Sequence, residues 1–260
     1  MILHEDIWVR LPAGRVFARL WSPLDVSGSP IILFHDSLGC VELWRNFPAA
    51  LAARTGRRVI AYDRLGFGKS DPRRDTLGMD FIAAEAEAVF PALCAELGID
   101  RFVAFGHSVG GGMAVHCAAS FAESCDALIT ESAQAFVEDR TVQGIREAQA
   151  LFVAPAQVER LGKYHGDKAR WVLAAWIDTW LSPGFADWSL DAVLPRVRCP
   201  VLAMHGADDE YGSPRHPERI GRLAGGPARV EVMPDTRHVP HRERELAVLD
   251  RIAAFLQSID

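Results

Sequence analysis

The sequence predicts an α/β fold built on a mostly parallel sheet with helices on both faces. Continuous apolar runs, such as residues 30–34 and 58–62, alternate with stretches whose apolar residues recur at helical spacing. A strand that is apolar along its whole length is typical of a sheet covered on both faces. Because strands and helices alternate, consecutive strands are expected to run parallel and to be joined by helical crossovers. At 260 residues, of which 49% are hydrophobic, the chain suits one large domain with an insertion.

The elements follow one another in an order that supports this fold. Residues 7–11 and 15–21 alternate apolar and polar side chains on either side of a turn, which predicts an antiparallel hairpin. Helical periodicity predicts one long helix over residues 82–97, which Gly98 ends. The other predicted elements are strands at 30–34, 58–62, 102–105, 127–130, 200–204 and 229–233 and helices at 44–55, 113–119 and 246–256.

The alternation of strands and helices fails in the middle of the chain. Two or three helices are expected there, including one around residues 142–152 and one around 172–180. We interpret this stretch as a helical lid over the carboxyl edge of the sheet. The predicted division of the chain is a core formed by residues 1–132 and 199–260 and a lid formed by residues 133–198.

Composition argues against several classes of function. The formal net charge is −6, so the chain has no overall attraction to nucleic acid or to an anionic membrane surface. No run approaches the roughly 20 apolar residues that span a bilayer, and residues 1–6 lack the features of a secretory signal. The five cysteines form no CxxC pair. We therefore expect a cytoplasmic protein that acts on a small molecule, and the sequence does not indicate its oligomeric state.

A candidate nucleophile follows the strand at 102–105. Residues 106–111 read GHSVGG, which contains the pattern G-x-S-x-G between a strand and a small-residue helix. Side chains in place of Gly106 or Gly110 would collide with the neighbouring strand and helix. Ser108 is therefore the candidate nucleophile, and the alternative is a tight turn that contains a serine without function.

A serine nucleophile needs a base, and His238 is the candidate because it follows the last strand in a loop. Loops at the carboxyl ends of parallel strands share one edge of the sheet, so His238 is expected near Ser108. His241 is a rival, but we interpret it as the approach to the final helix. We expect three further histidines to bond loop backbone at strand ends, namely His35, His107 and His205. Two others, His4 and His216, are expected to lie in solvated segments.

The base needs a carboxylate that orients it, and two backbone amides must stabilise a developing oxyanion. Four acids are candidates because they follow predicted strands. The strand at 200–204 is followed by Asp208, Asp209 and Glu210, and the strand at 127–130 by Glu131. Chemistry alone does not choose among them. The amide of Val109 is one candidate oxyanion donor, and that of Ser37 is the other, although its loop also fits an ordinary glycine-containing turn.

These segments together resemble the α/β-hydrolase superfamily over essentially the whole chain. Residues 106–111 are similar to the family's nucleophile elbow, and residues 63–71 (DRLGFGKSD) to its D-x-x-G-x-G-x-S segment. Residues 206–209 (GADD) resemble its G-x-x-D acid loop, which singles out Asp209 as the acid. Two departures are Arg237, where glycine usually precedes the histidine, and Asp36, where the H-G-x-x-G oxyanion loop commonly has glycine.

The resemblance implies a predominantly eight-stranded sheet with a helical lid, and a catalytic triad of Ser108, His238 and Asp209. A serine nucleophile argues against the dehalogenase and epoxide-hydrolase branches, which use aspartate. Carboxylesterases, enol-lactonases, thioesterases, C–C hydrolases and cofactor-free haloperoxidases remain. We expect hydrolysis of a carboxylic ester or lactone through an acyl-enzyme, with no metal or organic cofactor. The alternative from another class is a non-catalytic, ligand-binding member of the fold.

The lid is expected to supply the substrate pocket. Its aromatic residues include Trp176, Trp180 and Phe136, and some of them are expected to line an apolar pocket although large apolar residues more often pack in a core. Arg140 and Arg146 are candidate partners for a substrate carboxylate, with a solvated helix face as the alternative. The sequence thus predicts a small, partly hydrophobic substrate.

Overall fold

The computed structural model describes residues 1–259, within which eight strands form one sheet. Numbered along the chain, the strands are β1 (Ile2–Leu11), β2 (Gly14–Pro23), β3 (Ile31–Phe34), β4 (Val59–Tyr62), β5 (Phe102–His107), β6 (Cys125–Glu131), β7 (Val201–Gly206) and β8 (Ala228–Met233). Their spatial order is β1-β2-β4-β3-β5-β6-β7-β8. β1 and β2 form the expected antiparallel hairpin, β2 also pairs antiparallel with β4, and the other pairings are parallel. The predicted mostly parallel α/β fold is confirmed.

Helices cover both faces of this sheet. The α-helices are α1 (Phe47–Thr55), α2 (Phe81–Ala84), α3 (Val89–Leu97), α4 (Val109–Ser120), α5 (Asp139–Leu151), α6 (Pro155–His165), α7 (Ala169–Trp180), α8 (Arg215–Leu223), α9 (Pro240–Glu243) and α10 (Glu245–Gln257). Short 3-10 helices occur at Val41–Trp44, Gly166–Lys168, Pro183–Phe185 and Leu194–Arg196. In residues 1–259, no helix combines the length and the apolar character that a membrane crossing needs.

Successive residues of β5 alternate between two cores, one on each face of the sheet. Phe102 and Ala104 belong to the core that includes residues of α3 and α4. Val103 and Phe105 belong to the core that includes residues of α1 and α10. A central strand buried on both faces explains why its sequence is continuously apolar instead of alternating.

The prediction of one long helix over residues 82–97 is wrong, because the structure divides this stretch into α2 and α3. Pro91 has no N–H to donate, and its ring is incompatible with a helical carbonyl group four residues earlier. The chain turns at residues 85–88. There the buried carboxylate of Glu85 accepts a hydrogen bond of 2.7 Å from the hydroxyl of Tyr62. A buried carboxylate needs such a partner, so this contact helps to hold the break in the helix.

The helices α5, α6 and α7 lie between β6 and β7, and this segment is fastened to the core where α6 meets α7. His165 accepts a hydrogen bond at Nδ1 from the amide of Gly68 at 2.9 Å and donates from Nε2 to the carbonyl of Leu38 at 3.0 Å. Lys168 donates from Nζ to the carbonyls of Gly68 and Ser70, at 2.7 and 2.6 Å. The loops after β3 and β4 therefore support the segment that we call the lid.

We expect His116 to make the stability of the fold sensitive to mild acid. It lies in α4, where burial and the charge of Arg196 lower its pKa to about 4. In the unfolded chain its pKa is about 6.5, so the unfolded state binds a proton first as the pH falls, and stability decreases below that value. When the pH is lowered from 7 to 5, we predict that the free energy of unfolding of His116→Gln falls by about 2 kcal/mol less than that of the wild type.

Urea unfolding at the two pH values measures this difference. His4→Gln, at an exposed position in β1, is the control and is expected to lose stability like the wild type. An equal loss in the wild type and in His116→Gln would contradict the prediction.

Candidate active site

Ser108 lies at a strained turn between β5 and α4. Its backbone has φ 55° and ψ −128°, a conformation that residues other than glycine rarely adopt. Two hydrogen bonds hold the turn, from the amide of Ser108 to the carbonyl of Glu131 and from the amide of Gly111 to the carbonyl of Ser108, both at 2.9 Å. The serine is thereby held just beyond the end of β5, at the carboxyl edge of the sheet.

The residues two positions before and after Ser108 must be glycine, because three backbone segments meet there. A Cβ atom on Gly106 would lie 2.1 Å from the carbonyl oxygen of Gly110, and one on Gly110 would lie 2.2 Å from that of Phe34. Both neighbours are backbone atoms, so neither contact can be relieved without moving β3 or α4. This close approach brings the Ser108 turn against the ends of β3 and β5.

The structure brings Ser108, His238 and Asp209 into one chain of hydrogen bonds. His238 Nε2 lies 3.1 Å from Ser108 Oγ, and His238 Nδ1 lies 2.8 Å from each carboxylate oxygen of Asp209. Asp209 follows β7 and His238 follows β8, so the three side chains come from the carboxyl ends of three parallel strands. Since an ionised carboxylate can only accept, Nδ1 carries the proton and Nε2 is free to accept from the serine hydroxyl.

Asp209 is fully buried, yet its neighbours stabilise its charge. The amide of Tyr211 donates to its Oδ1 at 2.8 Å, and His205 Nε2 lies 3.3 Å from its Oδ2. Burial acts to raise the pKa of Asp209, but His238 and these neighbours outweigh it and hold that pKa below its usual value. The carboxylate is therefore ionised at neutral pH.

The other acids considered from the sequence take different positions. Asp208 and Glu210 are exposed. Glu131 is fully buried and accepts a hydrogen bond of 2.5 Å from Nδ1 of His241, the rival histidine. Within residues 1–259, Asp209 is therefore the candidate acid that is hydrogen-bonded to His238.

The three histidines at strand ends bond the backbone, which confirms their structural interpretation. A ring nitrogen of His35 lies 2.8 Å from the carbonyl oxygen of Asp36, and one of His107 lies 2.8 Å from that of His238. A ring nitrogen of His205 lies 3.1 Å from the carbonyl oxygen of Gly212. The expectation that His216 is solvated is wrong, because it is fully buried. The loop after β6 folds onto the start of α8, so that His216 Nδ1 accepts from the amide of Ala135 at 3.1 Å and Nε2 lies 2.8 Å from the Glu138 carboxylate.

Ser108 and His238 open onto a cavity of about 120 Å³, which we call the nucleophile cavity. Of the four pocket residues expected from the sequence, two line it, Trp176 and Trp180 of α7. They are four residues apart, so one face of the helix covers the cavity. Ile145 of α5 lines it from a second helix of the lid.

The structure places the other two expected pocket residues, Phe136 and Arg146, outside the lining of this cavity. Phe136 pairs its backbone with Ser189 and packs against His216, with ring centroids 4.5 Å apart. Arg146 is exposed, because it follows Ile145 by one residue and points about 100° away around α5. The prediction that these two residues line the pocket is therefore wrong. Phe136 is placed by its backbone pairing and Arg146 by its position around the helix, and neither can be read from residue type.

Gln134 and Tyr211 line the cavity without having been expected from the sequence. Gln134 is buried, and its Oε1 lies 3.3 Å from Ser108 Oγ. Tyr211 packs against His238, with ring centroids 4.8 Å apart. Both follow strands that end at the same edge as β5, and this position was the signal in the sequence that could have identified them.

Ser37 and Val109, the candidate oxyanion donors, both lie beside the nucleophile. Ser37 lines the nucleophile cavity, and both residues line a smaller space that adjoins it. Asp36 lines the same cavity, with one carboxylate oxygen 3.6 Å from His107 Nδ1. Burial acts to raise the pKa of Asp36, but His107 outweighs it and holds that pKa well below its usual range. The aspartate in place of a glycine therefore puts a negative charge in the cavity wall.

One buried cluster has the residue types of a metal site. His107, Glu131 and His241 bring ligating atoms within 4.8 Å of one another. These groups already bond protein atoms, since His241 Nδ1 contacts Glu131 and His107 Nε2 contacts the carbonyl of His238. Hydrogen bonding therefore accounts for the cluster, which supports the loop that carries His238.

Comparison with known proteins places this geometry in context. A family model described as the alpha/beta hydrolase fold matches residues 29–175. A non-heme chloroperoxidase of Streptomyces lividans is 27% identical over 229 residues, which cover 75% of this chain and 79% of that protein. An uncharacterised protein of Mycobacterium tuberculosis is 39% identical over 114 residues, which cover 44% of this chain and only 31% of that relative. The 2-hydroxy-6-oxo-6-phenylhexa-2,4-dienoate hydrolase of Rhodococcus sp. strain RHA1 has a TM-score of 0.81 at 17% identity, with 98% of this chain and 100% of that chain covered.

Gly106→Ala tests the close approach at the Ser108 turn. Because its Cβ would lie 2.1 Å from a backbone oxygen, we predict a loss of about 3 kcal/mol or more in the free energy of unfolding. Gly112→Ala within α4 is the matched control, since its Cβ would lie 3.1 Å from its nearest neighbour, a side-chain atom of Ile82. We expect a change of less than about 1 kcal/mol there, as the gain in helix propensity offsets the tight contact. Thermal unfolding measures both variants, and equal effects would contradict the prediction.

Proposed function

Because the chain belongs to the α/β-hydrolase fold family, we propose that it is a serine hydrolase that cleaves a carboxylic ester or lactone of a small, partly hydrophobic substrate. The observation that carries this proposal is the chain of hydrogen bonds from buried Asp209 through His238 to Ser108, at 2.8 and 3.1 Å. These residue types supply what nucleophilic acyl transfer requires, namely a nucleophile, a base and an orienting carboxylate. The adjoining cavity supplies room for a small substrate.

In the proposed reaction, Ser108 Oγ attacks the carbonyl carbon while His238 Nε2 accepts the hydroxyl proton. The ionised Asp209 then stabilises the imidazolium that has formed, through the hydrogen bond at Nδ1. Negative charge develops on the carbonyl oxygen, and the amides of Val109 and Ser37 are the proposed donors for it.

The tetrahedral intermediate collapses by breaking the bond between the carbonyl carbon and the alcohol oxygen. His238 returns its proton to that oxygen, so the alcohol leaves and the acyl group stays on Ser108. In a lactone the alcohol remains attached to the acyl group. A water molecule that is deprotonated by His238 then attacks the acyl-enzyme and restores the serine.

The charge of the cavity wall supports an uncharged substrate. Among the described residues that line the nucleophile cavity, none is lysine or arginine, whereas Asp36 contributes a negative charge. Arg146 is exposed on α5 and outside this lining. A substrate carboxylate buried in this cavity would therefore find no lysine or arginine partner. This argues for an ester or lactone over a dienoate such as the one for which the Rhodococcus enzyme is named.

We also infer a cytoplasmic location and a small molecule as the partner. All five cysteines are free, which is typical of proteins in a reducing compartment. The net charge of −6 gives no overall attraction to polyanions, which supports a small-molecule substrate over nucleic acid.

Covalent labelling tests whether Ser108 is the nucleophile. An activated serine displaces fluoride from a fluorophosphonate and forms a stable P–O bond, so the wild type is expected to gain the mass of one phosphonyl group. Ser108→Ala is expected to gain none, whereas Ser120→Ala, at the exposed end of α4, is labelled like the wild type. Intact-protein mass spectrometry measures this. A wild type that takes up no label would favour the non-catalytic, ligand-binding alternative.

Asp209→Asn and Asp208→Asn form a matched pair that tests the acid. Asparagine at residue 209 cannot stabilise an imidazolium and can hold the ring in the wrong tautomer, so we predict that kcat for p-nitrophenyl acetate falls about 10³- to 10⁴-fold. Asp208 is exposed, and its replacement is expected to change kcat less than about twofold, as surface changes away from a site usually do. The reverse pattern would reassign the acid to Asp208.

A further inference from the structure

Three cavities lie in a row beginning at Ser108. A space of about 10 Å³, which we call the neck, separates the nucleophile cavity from a cavity of about 850 Å³, which we call the outer cavity. The nucleophile cavity and the neck share Ser37, Trp176 and Trp180, and the neck and the outer cavity share Arg64, Phe67, Leu77 and Phe81. The neck has room for about one water molecule. It is therefore a constriction between two larger spaces.

The neck leaves the nucleophile cavity on the side where an acyl group would lie. His238 must protonate the leaving alcohol, so the alcohol lies on the side of His238 and of Tyr211, which packs against it. Among described residues, neither of these lines the neck, whereas Ser37 and Val109, the proposed oxyanion donors, do. Because the neck lies away from His238, the acyl group, and not the alcohol, is the part of a substrate bound to Ser108 that can extend toward it.

We propose that the neck limits the length of the acyl group, so that the substrates are esters of short acyl chains and Leu77, Phe81 and Trp180 determine this specificity. This inference rests on the proposed function. By the measure that gives the neck room for about one water molecule, the nucleophile cavity of about 120 Å³ holds roughly ten groups of that size. The acyl group and the alcohol share this space, so an acyl chain that is too long for its share meets the closed neck.

Leu77 is the wall of the neck whose removal affects the fold least. It is half-buried in the loop between β4 and α2, outside any helix or strand. Phe81 and Trp180, in contrast, are buried and both pack on Phe185, with ring centroids 5.9 and 5.1 Å apart. Truncation of Leu77 joins the neck to the outer cavity, where a longer apolar chain finds apolar walls such as Val89.

Ethyl p-nitrophenyl alkylphosphonates with methyl, butyl and octyl chains test this inference without requiring turnover. Ser108 Oγ forms a bond to phosphorus and displaces p-nitrophenolate, its proton passes to His238, and the alkyl chain takes the position of the acyl chain. We expect the octyl probe to label the wild type at least tenfold more slowly than the methyl probe. Leu77→Ala is expected to raise the ratio of octyl to methyl rates at least tenfold, and Leu77→Val is expected to raise it less.

Leu11→Ala is the matched control, because among described residues Leu11 lines the outer cavity and not the neck. Its ratio of octyl to methyl rates is expected to equal that of the wild type. Equal rates with both probes in the wild type, or an unchanged ratio in both Leu77 variants, would overturn the inference while Ser108 remains the nucleophile. Absence of labelling by every probe would overturn the proposed function and this inference with it.

Discussion

The carboxyl edge of the sheet is arranged around a contact in which three backbone segments touch with no side chain between them. Gly106 in β5, Gly110 in α4 and the carbonyl of Phe34 in β3 approach so closely that a single methyl group would separate them. This contact holds Ser108 at a φ of 55°, and the packing around it offsets the cost of that conformation. It also brings the amide of Val109 next to the loop that follows β3. The nucleophile and the proposed oxyanion donors thus owe their positions to one steric constraint.

Around that contact, the loops are held by imidazole rings. Loops that cross the end of a sheet leave backbone amides and carbonyls that need partners. Five buried histidines supply ring nitrogens to such groups, namely His35, His107, His165, His205 and His216. Burial acts to lower the pKa of all five rings, but at His107 the carboxylates of Asp36 and Glu131 outweigh it and raise the pKa. At the other four the lowered pKa favours neutral rings that can donate and accept at once. One side chain can then join two loops, as His165 joins the loops after β3 and β4.

The strands and loops that carry Ser108, Asp209 and His238 could be predicted because they follow from local pattern and chain order. Apolar runs mark the strands, and parallel connections put all three loops on one edge. Packing was not predictable in this way. Pro91 and the contact of Glu85 break a helix whose apolar periodicity is continuous. The neighbourhood of Gln134 depends on a distance of 3.3 Å across the fold, for which a common polar residue gives no sign.

The fastening of the lid has a consequence for how relatives of this protein can diverge. His165 and Lys168 bind the lid to the core through backbone groups of the loops after β3 and β4, whereas Ile145, Trp176 and Trp180 face the cavity. Attachment and recognition therefore depend on different side chains. Mutations can reshape the cavity while the attachment stays intact, and partners on the core side are main-chain atoms that most substitutions preserve. Trp176, which is half-buried, is therefore a position where new selectivity can evolve without first weakening the fold, whereas Ile145 and Trp180 are buried in the core.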